Sequence, residues 1–182
     1  MKKFLRFSLV LLATAVVLRG CIFRQVIVYQ TVGQRNAYPL TNPDLKVYLS
    51  DNARLPEHCT ATDIINRALT LTAERLHFTA NNNPVDPNRL YETRTAHCVG
   101  YAAFFVTVCN YLFKENGMGD TWIAHQHIGK LYCFGVNVHP FFGTPFFRDH
   151  DFVIFQNRQT GEQIAVDPNM YDYLYIREIS FR

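Results

Sequence analysis

The sequence predicts an α+β fold in which one buried helix packs on an antiparallel sheet. Three observations predict this class. Apolar residues recur at helical spacing over residues 60–76, a second and more uniformly apolar helical pattern covers residues 96–115, and short β-like segments follow residue 120. With 182 residues, 48% of them hydrophobic, the chain has enough apolar material for one globular core.

The first twenty residues have the pattern of a targeting segment. Lys2, Lys3 and Arg6 precede an apolar run over residues 9–18, which is the charge and hydropathy order of a signal peptide. The run is shorter than the roughly 20 residues that a membrane-spanning helix needs. Residues 1–20 are therefore predicted to be a cleaved signal.

Cys21 follows this segment directly. Residues 18–21 resemble the lipobox of bacterial lipoproteins, in which the cysteine is lipidated, although Arg19 departs from that pattern. Lipidation of Cys21, an uncleaved signal-anchor and ordinary secretion are the alternatives. All three place the domain outside the cytoplasm, in the periplasm or on the outer surface, so the membrane is an expected partner only through this signal or lipid anchor.

The charge balance argues against nucleic acid as a partner. The formal charge of +3 comes from the signal, because the chain without residues 1–20 has 14 basic and 15 acidic residues. No stripe of Lys or Arg with interleaved aromatic residues occurs in the rest of the sequence. No nucleic-acid partner is therefore predicted.

The chain divides at residue 58. Residues 21–58 are predicted to be a mostly extended N-terminal segment, and residues 59–182 are predicted to form the main domain. Thr60, with Asp63 three positions on, indicates the N-cap of a helix of about four to five turns. The cluster of Asn, Asp and Pro over residues 81–88 then predicts a loop.

The second helix is predicted to begin near Ala96 and to end at Glu115, because Asn116 and Gly117 follow. Its apolar residues occur all round, which indicates burial. Four strands follow, with turns at Gly129 and at residues 160–161: they cover residues 121–128, 131–138, 151–156 and 162–166.

Cys98 lies in the predicted first turn of the buried helix. Unpaired N–H groups and the positive end of the helix dipole stabilise a thiolate there, and they can lower a cysteine pKa into the range of roughly 3.5–7.5. Cys98 is therefore a candidate nucleophile, and its backbone N–H is the natural first donor to a tetrahedral oxyanion. The other interpretation is a buried helix cysteine without a catalytic role, as we expect for Cys109.

His150 and Asp167 are the candidate partners of this cysteine. His150 begins a predicted strand and can carry the proton for the leaving group. Asp167 ends the next strand, so that a hairpin would bring its carboxylate to the other imidazole nitrogen. His139 is a competing histidine, and Asp167 could instead be only a turn residue before Pro168.

Several short motifs resemble those of transglutaminase-like domains. Residues 95–102 (TAHCVGYA) resemble the cysteine motif, residues 116–122 resemble the following helix exit and strand, and residues 150–153 and 166–169 resemble the histidine and aspartate motifs. The resemblance covers roughly residues 60–175.

This resemblance implies a papain-like, transglutaminase-like core with Cys98 as nucleophile, His150 as base and Asp167 as orienter. Two positions depart from the family pattern. Ala96 stands where the family often has glycine, and Gln163 stands where a tryptophan often precedes the aspartate motif.

The substrate cleft is expected near an aromatic run over residues 141–147. Phe146 and Phe147 are candidates for its wall, and the alternative is a loop folded onto the core. Tyr91, in the loop before the cysteine, is a candidate for the cleft and for the second oxyanion donor.

The remaining histidines and cysteines have less specific patterns. His125 and His127 share one strand face and could bind zinc with His97 or His139, but no acidic or cysteine ligand stands at a metal spacing. No metal and no cofactor are predicted. Three cysteines remain, and they could form one disulfide at most. The alternative is that each is a small buried hydrophobic residue: Cys59, Cys109 and Cys133.

These observations predict a cysteine-dependent acyl-transfer enzyme that acts on amide bonds of a protein or peptide through a thioester. Release of the acyl group to water would make it a peptidase or amidase, and release to an amine would make it a transglutaminase. The competing hypothesis is a non-catalytic envelope binding or scaffold module of the same fold. A zinc-dependent hydrolase built on His125 and His127 is a third.

Overall fold

The computed structural model describes residues 8 and 14, residues 16–81 and residues 83–182. Most of the predicted signal, residues 1–20, therefore lies outside the described residues. Within the described ranges, no helix combines the length and the apolar character needed to cross a membrane.

The helices come mainly before residue 116 and the longer strands of the sheet mainly after residue 121. The α-helices are α1 (Arg19–Val26), α2 (Pro43–Asn52), α3 (Ala61–Arg75), α4 (Pro87–Thr93), α5 (Cys98–Glu115) and α6 (Pro168–Leu174). The strands are β1 (Ile27–Gln34), β2 (His77–Phe78), β3 (Thr95–Ala96), β4 (Trp122–Cys133), β5 (Val136–Asn137), β6 (His150–Asn157), β7 (Gln163–Val166) and β8 (Ser180–Phe181). Two short 3₁₀ helices, His139–Phe141 and Pro145–Phe147, lie between β5 and β6.

A six-stranded sheet organises the described chain, in the order β7-β6-β4-β1-β8 with β5 paired to β4. Its pairs are antiparallel except for β1 with β8. Helix α5 packs directly on β4 and β6, and α3 packs on α5. The fold is therefore mixed, with helices packed on one sheet, as the sequence predicts.

Helix α5 is the centre of the core because its apolar residues face both the sheet and α3. Phe105 and Phe113 meet Phe155 of β6 edge to face, with ring centroids 5.7 and 6.0 Å apart, an arrangement that aromatic pairs favour. This packing fixes α5, and with it the residue at its start, against β6.

The cap that the sequence predicts for α3 is confirmed. Thr60 is the N-cap, and its Oγ1 accepts a hydrogen bond of 3.2 Å from the N–H of Asp63. The Asp63 carboxylate in turn accepts one of 2.8 Å from the N–H of Thr60. This reciprocal pair is a capping box, which satisfies N–H groups that the first helical turn leaves free.

The segment 21–58 differs from the mostly extended stretch that was predicted. It contains most of α1 and all of β1 and α2. Strand β1 lies inside the main sheet between β4 and β8, so the folded unit begins before residue 59. Helix α2 forms because the Asn42 side chain accepts from the N–H groups of Asp44 and Leu45 and Pro43 suits a first helical turn.

Gly129 is not the turn residue that was predicted. Strand β4 continues through Gly129, which lies opposite His150 of β6. A Cβ at this position would approach Cε1 of Phe152 to 2.7 Å, so glycine permits close packing of that ring. The turn occurs instead at Phe134 and Gly135, which both have positive φ.

We expect Gly129→Ala to lower the free energy of unfolding by about 1–3 kcal/mol, because the added methyl group overpacks the core against the buried Phe152 ring. Urea unfolding followed by circular dichroism measures this change. Gly143→Ala is the matched control, since a Cβ there meets nothing within 4 Å, and its effect should stay within about 0.5 kcal/mol. Equal stabilities of the two variants would contradict the close approach at Gly129.

Candidate active site

Three elements carry the predicted nucleophile, base and orienter. Cys98 is the first residue of α5, His150 is the first residue of β6, and Asp167 follows β7 and caps α6. Strands β6 and β7 pair antiparallel, with Val153 opposite Val166. The hairpin therefore brings His150 and Asp167 to one end of the sheet, where α5 begins.

His150 and Asp167 form a direct hydrogen-bonded pair. Nε2 of His150 lies 2.7 Å from Oδ2 of Asp167. The Asp167 side chain is fully buried, whereas 18% of the His150 side chain is exposed. The imidazole thus has one nitrogen fixed by a buried carboxylate and one edge open to the surroundings, which is the arrangement that an orienting carboxylate needs.

The Asp167 carboxylate has further donors. Its Oδ2 accepts a 2.8 Å hydrogen bond from the phenol of Tyr29 in β1. Its Oδ1 accepts from the backbone N–H groups of Asn169 at 2.9 Å and of Met170 at 3.4 Å, at the start of α6. Asp167 is therefore both a helix cap and the acceptor for His150, and its position is fixed from three directions.

These contacts set the charges of the pair. For His150, burial lowers the pKa, but the charge of Asp167 and the hydrogen bonds to Asp167 and Cys98 together raise the pKa well above its usual value. For Asp167, burial raises the pKa, but His150, Tyr29 and the N–H of Asn169 outweigh burial and lower it. The pair is therefore an imidazolium beside a carboxylate.

Cys98 is an ionised thiol near neutral pH. Burial of the sulfur raises its pKa, but hydrogen bonds from His150 and His97, the charge of His150 and the N–H of Asp151 lower the pKa of Cys98 from 9.0 to about 6. The helix start adds favourable N–H dipoles. Cys98, His150 and Asp167 are thus brought together as a thiolate, an imidazolium and a carboxylate.

A second imidazole also contacts the sulfur. His97 is the N-cap of α5, and its Nδ1 accepts a hydrogen bond of 3.3 Å from the N–H of Val99. Because Nδ1 is the acceptor in this bond, Nε2 is the ring nitrogen that can donate. His97 therefore holds the start of α5 and helps to lower the pKa of Cys98.

A second buried carboxylate ties β6 to the start of α5. Asp151, adjacent to His150, is fully buried and forms a bidentate ion pair with Arg35 at 2.6 and 3.0 Å. Nε2 of Gln126 donates to Asp151 at 2.6 Å and to the backbone oxygen of Val99 at 2.9 Å. This network positions the first turn of α5 relative to the strand that carries His150.

A cavity of about 530 Å³ opens beside these groups. Cys98 and His150 line it together with Phe146 and Phe147, the two residues that the sequence predicts for the wall of a cleft. A reacting group placed in this cavity would have access to the sulfur and to the imidazole together.

Two other candidates have different surroundings. Tyr91 is not among the described residues that line the cavity, because its ring stacks beneath the Arg75 guanidinium and against Tyr48. It is therefore not a donor to this site. His139 lines the cavity, but both ring nitrogens are used, since Nε2 accepts from the N–H of Leu131 at 3.0 Å and Nδ1 donates to the backbone oxygen of Phe147 at 2.6 Å.

The residues considered for zinc or disulfides are not clustered. His125 contacts Gln34 through Nδ1 at 3.0 Å, and the His127 ring lies against Phe152. The described residues include no group of three or more His, Cys, Asp or Glu that could hold a metal ion. The cysteines, including the exposed Cys21, are free thiols.

Sequence reasoning missed three residues that support the site: Tyr29, Arg35 and Gln126. Two of them lie in or just after β1, in the segment that was assigned outside the main domain. A tyrosine within a strand and an arginine just after it are ordinary surface patterns, so only the strand pairing identifies them as partners of buried carboxylates. Gln126 alternates with two histidines on β4, and this polar residue at a core-facing position was a usable signal.

Comparisons with protein-family models, with curated proteins and with solved structures find no match to this chain.

We expect Tyr29→Phe to destabilise the protein by about 1.5–3 kcal/mol at neutral pH, the contribution typical of a hydrogen bond to a charged group. The folded-state pKa of Asp167 is lowered, so this contribution is complete above about pH 4 and is lost as the pH falls through the folded-state pKa. Urea unfolding at pH 7 and at progressively lower pH measures it.

Tyr132→Phe is the matched control for this prediction. Tyr132 lies on β4 under the Arg182 guanidinium, and its hydroxyl makes no hydrogen bond to another described residue. Its removal should change stability by less than about 0.5 kcal/mol. A Tyr29→Phe effect of that same small size would contradict a stabilising bond to the ionised Asp167.

We expect Arg35→Met to lower the free energy of unfolding by about 2 kcal/mol, because Asp151 loses a charged donor. Water can reach the partly exposed guanidinium position, so the cost stays below that of a fully buried unpaired charge. Arg24→Met is the control, since its ion pair with Glu178 is exposed on both sides and should contribute little. Similar losses for the two arginines in urea unfolding would contradict the role of Asp151.

Proposed function

We propose that this protein is a cysteine-dependent acyl-transfer enzyme with a transglutaminase-like, papain-type core, and that it acts on amide bonds of a protein or peptide through a thioester. The observation that carries the proposal is the lowered pKa of Cys98, about 6, beside an imidazole held by Asp167 at 2.7 Å. A structural cysteine in a buried helix needs neither feature.

The order of the elements supports the papain-type core. The nucleophile begins the buried helix α5, and the base and the orienter follow on an antiparallel hairpin of the sheet on which that helix packs. Residues 95–102, 150–153 and 166–169 carry the motif resemblance at these same positions.

The proposed reaction has two halves. In the first, the Cys98 thiolate attacks the amide carbonyl, an S–C bond forms, and the N–H of Cys98 at the free end of α5 can donate to the oxyanion. The intermediate then collapses, the C–N bond breaks, and the departing amine takes the proton of the His150 imidazolium.

In the second half, water or an amine attacks the thioester carbonyl while neutral His150 accepts its proton. The S–C bond breaks, the Cys98 thiolate and the imidazolium are restored, and the acid or the new amide is released. Water as acceptor gives a peptidase or amidase, and an amine gives a cross-linking transferase. We further propose export of the protein, on the basis of the N-terminal sequence pattern.

A non-catalytic envelope module is the second candidate. The observation that favours it is the exposure of aromatic side chains in the loop before β6, where Phe141 is 76% exposed and Phe142 is 48% exposed. Exposed aromatic residues can form a binding surface for another protein. This candidate predicts that Cys98 reacts no faster than an ordinary thiol.

Alkylation of Cys98 by iodoacetamide, followed by peptide mass mapping, separates the two candidates. We expect the rate to rise with pH and to reach half of its plateau near pH 6, because the thiolate is the reactive form. His150→Ala removes a hydrogen bond and a positive charge that lower the pKa of Cys98, so burial then raises this pKa. The alkylation rate of Cys98 at pH 6 should therefore fall by roughly two orders of magnitude.

His125→Ala is the matched histidine control and should leave this profile unchanged, because His125 contacts Gln34 away from the sulfur. Cys59 and Cys133, both partly exposed, serve as internal comparison thiols. Labelling of Cys98 at their rates, with no effect of His150→Ala, would favour the scaffold candidate. A zinc hydrolase would instead purify with stoichiometric metal and lose activity in chelator.

A further inference from the structure

The cavity beside Cys98 and His150 has a predominantly apolar wall. Its volume of about 530 Å³ lies within the roughly 300–1,000 Å³ of sites that enclose small organic groups. Aromatic and aliphatic side chains from separate parts of the chain make up most of this wall, among them Phe78, Leu131, Phe142, Phe146, Phe147 and Met170.

Polar side chains form only a small part of this wall. Both ring nitrogens of His139 are hydrogen-bonded to the backbone. Nδ2 of Asn169 donates to Asp167, and the Asn169 Oδ1 is a buried acceptor without a partner among the described residues. Asp149 contributes a carboxylate, and no Lys or Arg stands among the described lining residues. A negatively charged group that entered here would lose water and meet the Asp149 carboxylate and the Cys98 thiolate, which is unfavourable, and a polar group would find few partners in a mostly apolar wall.

The aromatic part of the wall is fixed rather than loosely attached. His139 links β4 to the backbone of Phe147, and the Phe146 ring packs edge to face on Phe78 and on His97, with centroids 6.3 Å apart in both pairs. Phe142 and Phe147 nevertheless remain about half exposed. This wall therefore presents apolar surface that a bound apolar group would remove from water.

We infer that the cavity binds a large aromatic or aliphatic side chain of the acyl donor, carried by the residue whose carbonyl Cys98 attacks. This inference rests on the proposed function and specifies its substrate class. The acyl group is bonded to the sulfur from the attack of the thiolate until the second half of the reaction releases it, so the space against the sulfur is occupied by that group. Acidic side chains are disfavoured there because no Lys or Arg stands in the described lining, and glutamine is disfavoured because most of the wall is apolar.

Four N-acetyl aminoacyl chloromethyl ketones, with phenylalanine, leucine, alanine or glutamine side chains, test the inference. The sulfur displaces chloride, so an S–C bond forms as the C–Cl bond breaks, and no turnover is needed. At pH 7 we expect the phenylalanyl and leucyl probes to label Cys98 at least tenfold faster than the alanyl and glutaminyl probes. Each rate of Cys98 labelling is normalised twice. It is divided by the rate at which iodoacetamide labels Cys98 in the same protein, and by the rate at which the same probe reacts with free glutathione.

Phe146→Asp should reduce the preference for the phenylalanyl over the alanyl probe to less than threefold, because it places a charge in the apolar wall. Phe142→Asp provides a second, more exposed position should Phe146→Asp fail to fold. Phe134→Asp is the matched control. Phe134 is 80% exposed at the β4–β5 turn, outside the cavity lining, and its replacement should leave the preference at the wild-type value.

The outcomes separate the two proposals. Slow reaction of Cys98 with iodoacetamide overturns the proposed function. Fast iodoacetamide labelling with equal rates for the four peptide probes, or with the glutaminyl probe fastest, overturns the inference alone. An octyl chloromethyl ketone without a peptide group that labels Cys98 as fast as the phenylalanyl probe would also overturn it, by assigning the cavity to a lipid acyl chain.

Discussion

The buried carboxylate of Asp167 is the group on which the site and much of the fold depend. A charge without solvent is strongly destabilising unless donors surround it, and here the donors come from β1, β6 and the start of α6. These three elements must therefore be assembled before the carboxylate can be ionised in the core. Folding and the protonation of His150 are consequently coupled, because the same charge holds the elements together and raises the pKa of the imidazole.

Asp151, the residue after His150, is a second buried carboxylate that depends on donors from other elements. Its carboxylate needs Arg35, and Arg35 follows the strand that provides Tyr29, so residues 27–35 supply a partner to each of the two buried carboxylates. The Gln126 amide then connects Asp151 to the first turn of α5. Burial alone would raise the pKa of Cys98, and the thiolate persists because these connections hold its donors against the sulfur.

The sequence predicts the local features of this arrangement, namely where the helix and the strands that carry the site begin and end. The helix start at Cys98, the strand start at His150 and the strand end at Asp167 each have a local pattern, and their chain order indicates a shared edge. Tyr29 and Arg35 have no such pattern, since their roles follow from the pairing of β1 with β4, about a hundred residues further on. The prediction of a turn at Gly129 was wrong for a similar reason. Glycine is required at this position by the Phe152 ring on the neighbouring strand, not by a turn.

The apolar cavity changes the energetics of the thiolate and imidazolium that border it. Burial is the largest contribution opposing ionisation of both Cys98 and His150, and an apolar group that fills the cavity removes more water from their surroundings. Charges interact more strongly as the local dielectric constant falls, so the attraction between the two ions increases together with the cost of keeping each one ionised. In the proposed reaction, acylation would end with a neutral thioester and a neutral imidazole, and it would relieve that cost. An apolar acyl donor that raises the cost of ionisation by more than the added attraction would therefore favour the step that consumes the ion pair.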